Sequence, residues 1–212
     1  MQHLQRILVV IIFALLGACV LPLAATADSE TSSSIEQTFQ KAKEEYLQKN
    51  LDAAAKQIKK GAAYMKAEAD KATAKGKEGL TASAKELDQL ADDTKKGAVT
   101  SAKKMEDAFA RAYLALAAND HVKSTESWAK KQSAKTGAAL SSAGKNLEKS
   151  FTWAGQKVEK GTNDVLVKSE ELSQKLKKKG RIVADDVSRG LKEAGNEIEK
   201  FARKISPDNA AK

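Results

Sequence analysis

Few side chains in this sequence have the chemistry of a general acid, a general base or a metal ligand. The chain of 212 residues holds two histidines and one cysteine, and the histidine in its body is His121, in the sequence Asn119-Asp120-His121. Acidic residues stand in adjacent pairs at positions 44–45, 92–93, 170–171 and 185–186. Adjacent helical residues point about 100° apart, so the two carboxylates of a pair do not converge on one substrate atom. We predict no catalytic dyad and no metal site, and we interpret His121 as a packed residue in a turn.

Motifs for nucleophilic catalysis and for phosphate binding are missing as well. Serines and threonines are plentiful, but none stands in a nucleophile elbow or in an S-x-x-K signature with its companion motifs. The glycines do not form a phosphate-binding loop. We therefore expect a protein that is not an enzyme and that takes no cofactor.

Positive charge is the clearest binding feature. Residues 119–212 hold 20 lysines and arginines against 13 acidic residues, while the whole chain carries a net charge of +9. The densest basic cluster is Lys175, Lys177, Lys178, Lys179 and Arg181. On a helix, each of these residues could add about 1 kcal/mol of attraction to an anionic membrane surface. The cluster predicts an anionic partner such as lipid headgroups, lipopolysaccharide or an envelope polymer, and the alternative is a solvated turn around Gly180.

The N-terminal segment predicts export. Arg6 is the only charged residue among residues 1–27, an apolar run follows from Ile7 to Val20, and Ala25-Thr26-Ala27 forms a small-x-small cleavage site. This order is typical of a secretory signal peptide. The run is shorter than the roughly 20 residues that span a membrane. We expect cleavage after Ala27 and a location in the periplasm, where nucleic acid is not an expected partner although the Lys/Ala/Ser/Thr-rich composition resembles linker-histone tails.

A second kind of N-terminal processing is open. Leu16-Gly17-Ala18-Cys19 resembles the lipobox of bacterial lipoproteins, in which the cysteine becomes the lipidated first residue. The apolar sequence that follows, residues 20–23, is unusual for a lipoprotein tether. An uncleaved N-terminal anchor is the remaining alternative. The predicted mature chain from Asp28 contains no cysteine, which suits an exported protein without disulfides.

The body of the chain predicts an all-α protein. Both prolines, Pro22 and Pro207, lie outside it, and proline is the strongest helix breaker. We expect a polar leader over 28–34, a bundle of helical hairpins over 35–140, an amphipathic helical segment over 141–206 and a tail over 207–212. Ser33 with Glu36, and Ser34 with Gln37, fit capping boxes that would open the first helix. Turn residues predict breaks at 49–50, 76–79, 97 and 119–120.

The hairpin region contains a weak internal echo at a spacing of 70 residues. Phe39 matches Phe109 and Asn50 matches Asp120, which predicts two copies of a helix, a turn and a helix. The segment Phe109–Leu140 also resembles the YfdX-type periplasmic helical proteins. Small residues at regular intervals would let such helices approach closely.

The C-terminal half has an eleven-residue period. Its apolar residues are spaced alternately by 7 and 4 positions, at Val165, Leu172, Leu176, Val183, Val187, Ala194, Ile198 and Ile205. Eleven residues drift about 20° from three full turns, so the set forms one stripe along a helix. This pattern resembles the group 3 late-embryogenesis-abundant proteins and the exchangeable apolipoproteins, and the resemblance implies reversible helix formation on membranes or on drying. The alternative is the core face of a bundle or coiled coil.

The apolar content predicts weakly packed helices. Alanine supplies 32 residues of the predicted mature chain, whereas Leu, Ile, Val and Phe together supply 29 of 185. Buried alanine contributes far less than buried leucine. Trp128 and Trp153 could anchor at a membrane interface or fill the core. We expect an envelope protein that binds a membrane surface or partner protein through its helices, with a stress-protective role, or alternatively a helical-repeat adaptor or chaperone-like protein. An oligomer is also possible.

Overall fold

The described part of the chain is a bundle of seven antiparallel helices. A computed structural model describes the backbone of residues 27–178 and 183–206, and the side chains from residue 34 onward. The helices are α1 (Ala27–Leu47), α2 (Leu51–Lys71), α3 (Ala74–Lys95), α4 (Ala102–Ala129), α5 (Ser133–Trp153), α6 (Lys160–Lys177) and α7 (Ala184–Lys204). The prediction of an all-α fold is confirmed.

The longest helix, α4, is the centre of the bundle. Each helix packs against the next one in the chain, and both α1 and α7 also return to pack against α4. The first three helices therefore join α4 through α1 and α3, and the last three join it through α5 and α7. One large apolar core runs through both halves, from Ile35 on α1 to Phe201 on α7.

Small residues and a few aromatic rings hold these helices together. Alanines such as Ala42, Ala54 and Ala112 are fully buried where helices approach closely. Phe39 and Phe109 stack with their ring centroids 4.1 Å apart, and Trp153 meets Phe109 edge to face at 5.1 Å. Each aromatic ring removes a large apolar area from water, which offsets the small contribution of each alanine. Trp153 is thus a core residue.

Four of the turns share one backbone conformation. After α1, α3, α4 and α5 the chain makes paired 5→2 and 6→1 hydrogen bonds, with a residue of positive φ at the C′ position. This is the Schellman motif, in which glycine is the favoured residue. Glycine takes the position at Gly97 and Gly155, but lysine takes it at Lys49 and Lys131. The predicted breaks at 49–50 and 97 are confirmed.

Three predicted boundaries are wrong. The break expected at 76–79 lies at 72–73, and α1 begins at Ala27, so the predicted leader and both capping boxes lie inside a helix. The turn expected at 119–120 lies in the middle of α4. Asn119 and Asp120 are buried there against neighbouring helices, and these tertiary contacts override the turn propensity of the two residues. The second copy of the echo is therefore not a hairpin, although its Phe109 does stack on Phe39.

The predicted division at residue 140 is also wrong. Residue 140 lies inside α5, and the segment 141–206 consists of the end of α5 followed by α6 and α7 rather than one long helix. None of the described helices is both long and apolar enough to cross a membrane. The predicted processing residues Cys19 and Ala25 lie outside the described residues, and Ala27 is the first residue of α1.

Candidate functional site

The predicted apolar stripe is folded into the molecule and does not form an available surface. Leu176 and Val187 are fully buried in a small second core, together with Leu140 and Leu191. The other members are distributed as follows: Ala194 in the small core, Ile198 and Ile205 in the large core, Val165 and Leu172 half-buried, and Val183 exposed. Most of the stripe is therefore core, and the prediction that it forms a surface is wrong for these residues.

The packing of α6 against α7 explains why most of the stripe is buried. The eleven-residue period keeps the apolar side chains of each helix on one face. Because α6 and α7 pack side by side, the apolar faces of the two helices turn inward, against each other and against α4 and α5. The stripe is thus the core face of a hairpin.

The predicted basic cluster lies at one end of the bundle, where α6 finishes. Lys175, Lys177 and Lys178 are exposed there, while Lys179 and Arg181 lie outside the described residues. A close approach fixes this end against α5. A Cβ atom at Gly137 would lie 2.7 Å from the carbonyl oxygen of Ser173 and 3.4 Å from Cγ of Lys177.

Three further lysines join the cluster from the turn between α4 and α5. Lys130 and Lys131 follow the last residue of α4, and Lys135 lies in the first turn of α5, two residues before Gly137. All three are exposed. Since α5 and α6 are antiparallel, the start of α5 and the end of α6 meet. We call the six lysines 130, 131, 135, 175, 177 and 178 the basic end.

The charges of the basic end are not neutralised within the described residues. None of its six lysines makes an ion pair with a described carboxylate. The nearest acidic residues along the chain are Glu126, Glu170 and Glu171, four or five residues from Lys130 or Lys175, and none of the three forms an ion pair with the basic end. At the opposite end the lysines are mixed: Lys95 pairs with Asp52, Lys103 with Asp107, and Lys200 and Lys204 with Glu159, whereas Lys96, Lys104 and Lys157 make no ion pair with a described carboxylate.

The positive field of the basic end reaches Glu170. Burial alone would raise the pKa of this carboxyl, but hydrogen bonds from Ser141 Oγ (2.7 Å) and Gln174 Nε2 (2.6 Å) outweigh burial, and the charges of Lys177 and Lys145 act in the same direction. The pKa of Glu170 therefore lies below its ordinary value. Ser141 of α5 thus holds the carboxylate of α6, and this bond belongs to the contact between α5 and α6 that positions the lysines.

Two apolar side chains accompany the lysines. Val183 precedes α7 in extended backbone, and 55% of its side chain is exposed. Trp128, in the last turn of α4, is half-buried and packs against the small core. Exposed lysines, an exposed valine and a half-buried tryptophan therefore lie at the same end of the bundle.

A second polar cluster anchors α1 and was not foreseen from the sequence. The Glu36 carboxylate accepts hydrogen bonds from Tyr113 Oη (2.6 Å) and Gln40 Nε2 (3.1 Å), and Lys149 Nζ lies 3.3 Å away. Trp153 Nε1 donates to the same carboxylate at 3.5 Å. Burial would raise the pKa of Glu36, but these donors lower it below its ordinary value. Burial and the bond to Glu36 raise the pKa of the Tyr113 hydroxyl.

His121 is a packing residue on a helix, and the prediction that it lies in a turn is wrong. It lies on α4, with its Nε2 atom 2.8 Å from the carbonyl oxygen of Leu191 on α7. Its ring fills the space beside Gly195, where a Cβ atom would lie 2.8 Å from Cε1. Among the described residues, no three His, Cys, Asp or Glu side chains are grouped so that they could hold a metal ion.

Comparison with known proteins gives no relative from which a function could be inferred. No family model matches the chain, and neither the curated proteins nor the solved structures include a significantly similar one.

Half of the basic end was missed in the sequence. Lys130 and Lys131 form a visible basic pair just before a helix start, which is the signal that could have drawn attention to them. What the sequence did not show is that residues more than 40 positions apart meet, because this follows from the antiparallel order of α5 and α6. The Glu36 cluster carries no local signal, since Glu36, Tyr113 and Lys149 come from three helices.

Proposed function

We propose that this protein is an exported, non-catalytic helical protein of the cell envelope that binds an anionic surface through its basic end. The observation that carries the proposal is the convergence of six exposed lysines, from two separate segments, without paired carboxylates in the described part of the chain. The predicted signal peptide supports the location, and a stress-protective role remains part of the proposal.

The proposed mechanism differs from helix formation on a membrane. The stripe is already buried against α4 and α5, so the folded bundle has no need to open in order to bind. The basic end presents its charges as a preformed patch. Each lysine near an anionic surface contributes about 1 kcal/mol, and the attraction falls off within a Debye length of about 8 Å at physiological salt. Binding through this patch should therefore be strongly weakened by salt.

The test compares equal charge changes at the two ends of the bundle. The variant K130Q/K135Q/K178Q removes three lysines of the basic end, and K96Q/K104Q/K157Q removes three exposed lysines at the opposite end. Both are made in the chain from Asp28, which contains every residue of the two cores. Sedimentation with vesicles containing phosphatidylglycerol measures the affinity of each.

We expect the basic-end variant to lose roughly 100-fold in affinity, since three contributions of about 1 kcal/mol are removed. The opposite-end variant should bind nearly as the parent does. Equal losses in the two variants would show that binding follows net charge and not the basic end. No vesicle binding by the parent chain would overturn the proposal and favour the adaptor function, in which a partner protein is recognised by other surfaces.

A further inference from the structure

We propose that the occupant of the basic end is a phospholipid bilayer, into which Val183 inserts between lipid headgroups. This inference rests on the proposed function and names its partner. An anionic surface could equally be a soluble or grafted polyanion, which would interact with the lysines alone. The position of Val183 distinguishes the two.

Val183 lies beyond the packed part of the molecule. Val187, one turn further along α7, is fully buried in the small core. A helix rises 1.5 Å per residue, so Val183 is displaced by about 6 Å from Val187 toward the end of the bundle. Its backbone is extended, with φ −94° and ψ 122°, and more than half of the side chain is exposed.

The six lysines lie at the same end of the bundle as this valine. Lys175, Lys177 and Lys178 precede it on α6, and the turn between α4 and α5 supplies the other three from across the small core. Lysine stems extend along apolar surface while their ammonium groups stay in water. These ammonium groups would meet lipid phosphates while the Val183 side chain enters the headgroup region.

The position of Trp128 is consistent with the same depth of insertion of Val183 into the headgroup region. It packs against the small core and remains half-buried at the end of α4. Tryptophan is enriched at membrane interfaces because its ring is apolar and its N–H is polar. Shallow insertion of Val183 would place Trp128 close to the headgroups without moving it from the core.

A second exposed valine provides the matched control. Val167 is 49% exposed on α6, eight residues before Lys175, so it has the same chemistry and nearly the same exposure as Val183. The variants V183S and V167S are compared in the chain from Asp28, with two ligands: phosphatidylglycerol vesicles and soluble polyphosphate. Polyphosphate offers negative charge without an apolar interior.

We expect V183S to weaken vesicle binding roughly tenfold, which corresponds to losing the burial of one valine side chain, and to leave polyphosphate binding unchanged. V167S should change neither. In a W153F background, brominated phospholipids should also quench Trp128 in the parent and less in V183S. Equal vesicle affinities of V183S and V167S would overturn the insertion. If the parent binds neither vesicles nor polyphosphate, the proposed function itself fails, so the two failures are distinguishable.

Discussion

At the scale of single residues, the Glu36 cluster makes stability depend on pH. The pKa of Glu36 is lower in the folded chain than its ordinary value of 4.5. The ionised form of Glu36 therefore stabilises the fold at pH values above the pKa that this carboxyl has in the unfolded chain. The contribution is lost as the pH falls through the pKa of the folded chain. Because Glu36 joins α1 to α4 and α5, acid should loosen α1 first.

The substitution E36Q tests this contribution. We expect a loss of about 1–2 kcal/mol at pH 7, because the charge-assisted bonds to Tyr113 and Lys149 are weakened. The difference from the parent should shrink below pH 4, as measured by urea denaturation at several pH values. The control is E148Q, an exposed carboxyl on α5. A loss at pH 7 no larger than that of E148Q would contradict the role of Glu36.

The two lysines of positive φ give a second prediction at this scale. Lys49 has φ 67° and Lys131 has φ 56°, a region that costs a non-glycine residue about 1 kcal/mol. Both K49G and K131G should raise the stability by roughly 0.5–1 kcal/mol in thermal unfolding. K131G removes a lysine of the basic end, so it alone should weaken vesicle binding, by about fivefold. Reduced vesicle binding by K49G would argue against a binding role specific to Lys131.

At the scale of helices, the contact of α5 with α6 requires glycine at position 137, because there is no room for a side chain. A Cβ at Gly137 would lie 2.7 Å from a backbone oxygen and 2.9 Å from Cβ of Leu176, so G137A must push the helices apart. We expect a loss of about 1–3 kcal/mol. On the same helix, a Cβ at Gly144 would lie 3.7 Å from Leu166, an ordinary contact. G144A should therefore gain up to about 1 kcal/mol from helix propensity, and calorimetry of the pair would show whether the signs differ.

The helices themselves were largely predictable, but their partners were not. The absence of proline and the apolar periods indicate helices and the residues on their inner faces, and glycine marks the turn at Gly97. The stripe predicts a face without saying what covers it. Gly180 is a turn signal between α6 and α7, but glycines such as Gly144 and Gly190 lie inside helices, so glycine alone does not mark where a helix ends. Asn119 and Asp120 suggest a turn locally, yet burial on α4 decides their conformation.

At the scale of the whole molecule, the sequence shows the excess of positive charge but not its distribution in space. Lys175, Lys177 and Lys178 are recognisable as a local cluster, whereas the contribution of Lys130, Lys131 and Lys135 depends on tertiary structure. The alanine-rich composition predicted weak packing. Close helix contacts through alanine and glycine, with stacked rings such as Phe39 on Phe109, instead produce one continuous large core. A folded bundle with a charged end is the result.

The central claim is that the folded bundle binds an anionic membrane with one end. The chain from Asp28 has no cysteine, so single cysteines at the two ends can carry an environment-sensitive fluorophore. Q132C places it in the turn between α4 and α5, and A98C places it in the turn between α3 and α4; both positions are exposed.

On addition of phosphatidylglycerol vesicles, the label at position 132 should shift to shorter wavelength and gain intensity, while the label at position 98 stays as in buffer. Helicity, followed by circular dichroism on the same samples, should not change. An equal or larger response at position 98 would contradict binding through the basic end, and a rise in helicity with both labels responding would show that the bundle opens on the membrane instead.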